Sequence, residues 1–102
     1  MIPVLHQHRA EIAALCRQFH VLRLDLFGSA AREVDFDPAR SDVDLLVTFD
    51  PAARPSAFEH LRLRDALADL LGRPVDLVTE GAVKNPFVLA GIERSRQPFY
   101  AA

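Results

Sequence analysis

Apolar positions recur along this chain with two different periods, and the changes of period mark out its elements. From residue 3 to 19, Leu5, His8, Ile12, Leu15, Cys16 and Phe19 recur at threes and fours, with Gln7, Arg9, Glu11 and Arg17 between them. That spacing predicts an amphipathic helix, with Pro3 in its first turn and His20 at its exit. Residues 21 to 27 alternate instead, with Leu22, Leu24 and Leu26 on one face, and predict a strand that Gly28 ends. Ser29 to Arg32 fit one helical turn. Glu33, Asp35, Asp37 and Pro38 then predict a loop to residue 41. A second strand runs from about Asp42 to Phe49 and stops before Pro51.

After a loop over 50 to 55, Ser56 with Glu59 has the spacing of a capping box. The helix it opens carries Leu63, Ala66, Leu67, Leu70 and Leu71 as its stripe, and Gly72 stops it. Pro74 to Thr79 form a third strand, with Val75 and Leu77 on one face and Asp76 and Val78 on the other. Asn85-Pro86 reads as an N-cap and first-turn proline of a short helix reaching about Ser95. Gln97 to Tyr100 close the chain as a strand that Pro98 confines to a sheet edge. Phe99 and Tyr100 are expected to pack there. The fold class is α/β (α+β), a small mixed sheet with helices packed on it, in one domain spanning residues 1–102. A helix between the second and third strands predicts that those two are parallel neighbours.

Composition narrows the function without naming it. Twelve Lys and Arg against fourteen Asp and Glu leave a formal charge of −2, so no basic excess points to nucleic acid. Cys16 is the one cysteine, which rules out an internal disulfide and a cysteine zinc cage. No run of apolar residues is long enough to span a bilayer, and the N-terminus lacks a signal-like pattern, so the expected location is cytoplasmic. The four histidines form no cluster: His6 and His8 do not share a helix face, and His20 and His60 stand alone.

The chemistry concentrates in residues 27 to 47. Asp42 and Asp44 are two apart on a strand and point to one face, while Val43, Leu45 and Val47 point to the other. Two carboxylates so close repel unless a cation lies between them or one takes a proton. Gly28 and Ser29 precede a helix start, where backbone N–H groups can hold an anion. Parallel pairing of the second and third strands brings Asp76 to the edge that Asp42 and Asp44 occupy. An antiparallel first strand delivers the Gly28-Ser29 turn there as well. An anion cradle beside a cation clamp implies a metal-bound nucleoside triphosphate.

Gly28-Ser29-x-x-Arg32, then Ser41-Asp42-Val43-Asp44-Leu45-Leu46-Val47, then Gly72-Arg73-Pro74-Val75-Asp76-Leu77-Val78-Thr79 resembles the minimal nucleotidyltransferase (MNT) family, within the DNA polymerase β-like superfamily. The resemblance covers nearly the whole chain. It implies that Gly28 and Ser29 hold the triphosphate, with Arg32 and Ser41 as further nucleotide-binding positions. It also implies that Asp42, Asp44 and Asp76 are catalytic and bind two Mg²⁺, with Asp76 also able to accept the attacking hydroxyl's proton. ATP is the implied substrate. Many relatives carry Gly after the Arg; here Glu33 stands in that place, in a loop with Asp35 and Asp37.

Larger members use a helical domain to help hold an acceptor, and the reading of residues 1–102 as one minimal domain leads to the expectation that none is present here. The resemblance therefore implies a partner chain, a HEPN-domain toxin, in a homo- or hetero-oligomer. The MNT protein would be the antitoxin, placing AMP on a tyrosine of the toxin. Two other readings compete. One is a nucleotidyltransferase-fold binding protein that neutralises its partner by contact. The other is a transferase acting on small hydroxylated molecules, as antibiotic nucleotidyltransferases do.

Overall fold

The computed structural model describes residues 3–28 and 42–102. The expected helical turn at 29–32, the loop at 33–41 and the site residues Ser29, Arg32 and Ser41 lie outside the described residues. Strands β1 (Val21–Phe27), β2 (Val43–Phe49), β3 (Val75–Thr79) and β4 (Gln97–Ala101) form one mixed sheet in the order β3-β2-β1-β4. β2 runs parallel to β3, and β1 runs antiparallel to both β2 and β4. Pro98 therefore sits on an edge strand, where its missing N–H breaks no ladder bond on the open side.

The helices follow from their caps. The expected helix over 3 to 19 is divided at His8 into α1 (Pro3–Gln7) and α2 (Arg9–Gln18), because His8 leaves helical geometry with φ −110° and ψ 19°. His20 ends the segment at φ +60°, the left-handed exit of a helix terminus. Helix α3 (Ala57–Leu71) begins where the Ser56 side chain accepts the Glu59 N–H. It stops at Gly72, which takes φ +69°. Helix α4 (Pro86–Ser95) starts from Asn85, whose side chain accepts the N–H groups of Phe87 and Val88.

α2 and α3 pack side by side on one face of the sheet. Their buried residues Ile12, Cys16, Leu63, Leu67 and Leu71 join Leu24, Leu26, Val43, Leu45, Val47 and Leu77 in one core. Phe99 is buried in that core, and Tyr100 packs against it. α4 rests against β1. Leu46 and Ile92 are buried outside the main cluster. Among the described residues no helix is long and apolar enough to cross a membrane.

β1 departs from the expected alternation. Val21 pairs with Phe49 and Arg23 with Thr48, so Leu22 is an extra residue on β1. This bulge resets the alternation: Val21, Leu24 and Leu26 are buried, and Leu22 turns out to solvent. Leu22 does not share the face of Leu24 and Leu26.

Burial pushes the Cys16 thiol up to about 12, and the nearby Arg17 charge offsets this only in part. A folded-state value raised above the unfolded one favours the neutral thiol. Its contribution to stability is fully present below about pH 8.5 and is lost as pH climbs towards the folded value. At pH 8 a thiol reagent such as DTNB should leave Cys16 of the native protein unmodified and titrate one thiol in denaturant. Rapid modification of the native protein would contradict this burial.

Candidate active site

The parallel register of β2 and β3 sets Asp44 opposite Asp76. Neighbouring strands lie about 4.8 Å apart, so these two side chains leave the same face of the sheet side by side. Asp42 immediately precedes β2, two residues from Asp44. The strands stay joined at this end because the Val43 N–H donates to the Pro74 carbonyl at 3.0 Å. Asp42 and Asp76 are exposed and Asp44 is half-buried.

β1 arrives at the same edge from the opposite direction. Phe27 pairs with Asp44, and Gly28 follows it. Gly28 has φ +64°, a conformation that costs other residues about 1–2 kcal/mol. A Cβ there would also overlap the nearer Asp44 carboxylate oxygen and lie 3.3 Å from its Cγ. Glycine is thus required twice, by the turn and by the carboxylate packed on it.

The Gly28 N–H donates to Ser95 Oγ at 3.0 Å. This amide is engaged by α4, so any anion at the turn must be met by other donors. The structure thus brings together Gly28, Asp42, Asp44 and Asp76 of the expected site residues. No three acidic, histidine or cysteine side chains among the described residues are drawn close enough to hold a metal ion. What the edge supplies is a donor set: carboxylate oxygens, the hard ligands that Mg²⁺ takes, exposed at Asp42 and Asp76 and half-buried at Asp44. Those residues fit the ion by chemistry and by backbone register.

Beside this edge is a charge network that the local sequence does not announce. Asp25, on central strand β1, is fully buried. Its Oδ2 accepts from Arg23 at 2.9 Å and from Arg96 Nε at 2.5 Å, whereas Oδ1 is buried without a hydrogen-bond partner. Arg96 also meets Glu80 at 2.9 Å and Glu93 at 3.1 Å. Burial works against the Arg96 charge, but its hydrogen bonds to Asp25 and Glu80 prevail and raise its pKa above the ordinary value. The one signal in the sequence was an aspartate flanked by Leu24 and Leu26. Its partner lies 71 residues away, where no spacing rule reaches.

His60 also has a place that its isolation in sequence concealed. Its Nε2 lies 2.9 Å from the Leu77 carbonyl and its Nδ1 3.3 Å from Thr79 Oγ1. It lines a half-open cavity of about 440 Å³ with Phe49, Arg54 and Ser56. That cavity lies towards the far end of β2 and β3 from the three aspartates: Thr79 is three residues beyond Asp76, about 10 Å along its strand, and Phe49 five beyond Asp44, about 17 Å.

A family model described as "Nucleotidyltransferase domain" matches residues 10–98, a span that holds Gly28 and all three aspartates. A protein of Methanocaldococcus jannaschii described as a "putative protein adenylyltransferase" is 38% identical over 90 residues, covering 88% of this chain and 85% of its own. A solved structure described as a "putative minimal nucleotidyltransferase" matches with a TM-score of 0.73 and 34% identity, covering 92% of this chain and 91% of its own. The fold also matches a chain from the complex of a tri-AMPylated Shewanella oneidensis HEPN toxin with an MNT antitoxin. There the TM-score is 0.67 at 19% identity, over 95% of this chain and 72% of the other.

Replacing Gly28 by Ala combines a left-handed backbone with an overlap onto Asp44. Urea unfolding should register a loss of at least about 1–2 kcal/mol. A Gly28→Ala protein as stable as the parent would show that the turn is not held as described.

Proposed function

Because the chain belongs to the nucleotidyltransferase domain family and is an enzyme of that class, we propose that it transfers AMP from ATP to a protein hydroxyl. The acceptor we propose is a tyrosine of a HEPN-type toxin, which makes this chain the antitoxin. The observation that carries the reading is the edge where Asp44 stands beside Asp76 with the Gly28 turn against it. The description of the archaeal relative supports a protein as acceptor. The shared fold with a chain of a toxin–antitoxin complex supports the partner class.

Asp42, Asp44 and Asp76 are the residues that would hold Mg²⁺. The bound ions would neutralise charge on the phosphates and make the attacking hydroxyl more acidic. Ser29, Arg32 and Ser41 take their assignment to the nucleotide from their places in the motif.

In the transfer, the acceptor oxygen forms a bond to the α-phosphorus. The bond from that phosphorus to the bridging oxygen breaks, and pyrophosphate leaves with the electron pair. The hydroxyl proton passes to the Asp76 carboxylate, which is exposed and therefore reachable. Positioning does much of the remaining work, since phosphoryl chemistry asks little covalent participation of the protein.

Incubation with α-³²P-ATP, Mg²⁺ and the candidate HEPN partner tests this directly. Label should appear on the partner and fall by about a thousandfold in rate in an Asp42→Asn/Asp44→Asn double variant, equivalent to about 4 kcal/mol. If both proteins silence the partner and neither labels it, neutralisation is by contact. Labelling of small hydroxylated acceptors with no protein present would instead favour a small-molecule transferase.

A further inference from the structure

The junction between α4 and β4 is fastened to β1 at two consecutive residues. Ser95 Oγ accepts the Gly28 N–H at 3.0 Å, and Arg96 Nε reaches Asp25 Oδ2 at 2.5 Å. Asp25 and Gly28 lie three residues apart on and just after the same strand. The Ser95 hydroxyl is itself oriented, because it donates back to the Gly91 carbonyl at 3.1 Å. With its proton directed into the helix, its lone pairs are left to face Gly28. A fixed acceptor thus meets the first amide of the turn.

That turn is packed against Asp44. The space a Cβ would take at Gly28 is held by the Asp44 carboxylate, so any shift of Gly28 changes the room in which the carboxylate sits. Two contacts in series therefore connect Ser95 to a proposed metal ligand, Ser95 to Gly28 and Gly28 to Asp44, while the Arg96–Asp25 pair beside them fastens the same junction to β1. Such outer contacts orient ligating carboxylates and tune their affinity for metal.

We propose that Ser95 is a positioning residue for nucleotidyl transfer, holding the Gly28 turn against Asp44 and so setting where that carboxylate presents its oxygens. This rests on the reading of Asp42, Asp44 and Asp76 as the metal-binding edge. Ser95 touches neither substrate nor metal; it acts through Gly28. A serine serving only to satisfy a half-buried amide would contribute to folding alone, and its loss would leave metal and nucleotide affinity unchanged in the folded protein.

The test compares the parent with Ser95→Ala, Ser95→Cys and Ser95→Thr. Mn²⁺ affinity in the presence of a non-hydrolysable ATP analogue is read by electron paramagnetic resonance, alongside thermal unfolding and AMP transfer. Ser95→Ala should weaken Mn²⁺ binding by roughly 10–100-fold in protein that is still folded at the assay temperature. Ser95→Cys, which keeps the size but offers a poor acceptor, should share the defect. Ser95→Thr, which keeps the hydroxyl, should restore affinity close to that of the parent. Parental affinity in Ser95→Ala, or in Ser95→Cys should the alanine variant not fold, overturns the proposal. If the parent binds Mn²⁺ and the analogue but transfers no AMP, the proposed reaction fails, and the Mn²⁺ series still decides the role of Ser95. If the parent binds no Mn²⁺ at this edge, both fall together.

Discussion

The parallel register between β2 and β3 is the constraint on which the remainder of the site depends. Val43, Leu45 and Val47 on one strand and Val75 and Leu77 on the other are all buried, so both strands have their inward faces fixed. A slip of one residue would turn those side chains out to water and the aspartates into the core. Burial of apolar residues on one face thus determines that Asp44 and Asp76 emerge together on the other. Carboxylates that repel one another are held together by a core that contains neither of them.

The second constraint comes from β1. Its antiparallel pairing carries the chain back to the edge where β2 begins, and Gly28 makes the turn there with no side chain to displace Asp44. The Asp25–Arg96 pair and the Ser95 hydroxyl tie this end of β1 to the α4–β4 junction. Burial of an ion pair returns little net stability, because desolvation offsets most of the attraction. Its consequence here is geometric: it fixes how the last segments of the chain approach the turn.

Much of this was legible in the sequence because it is local. Ser56, Gly72 and Asn85 mark helix ends through their own backbone and side-chain chemistry, and each does so in the structure. The alternation in β2 and β3, with a helix between them, foretold their parallel pairing and the company of Asp44 and Asp76. What escaped was long-range. The bulge at Leu22 arises from pairing with Phe49 and Thr48 and leaves no trace in the spacing of leucines. Leu24 and Leu26 aside, nothing around Asp25 in the sequence marks it as buried, because the Arg96 that covers it lies 71 residues away. The Ser95 contact to Gly28 spans 67 residues, and a serine at the end of a helix carries no mark of its partner. The same contact engages an amide that, from sequence, was open to a phosphate.

The most direct measurement of the central claim is anomalous diffraction from crystals of this protein grown with Mn²⁺ and a non-hydrolysable ATP analogue. Mn²⁺ peaks are expected at the edge formed by Asp42, Asp44 and Asp76, about 3.5–4 Å apart where two ions bind, with the analogue's phosphates beside them. Mn²⁺ and nucleotide bound elsewhere, with that edge empty, would contradict it.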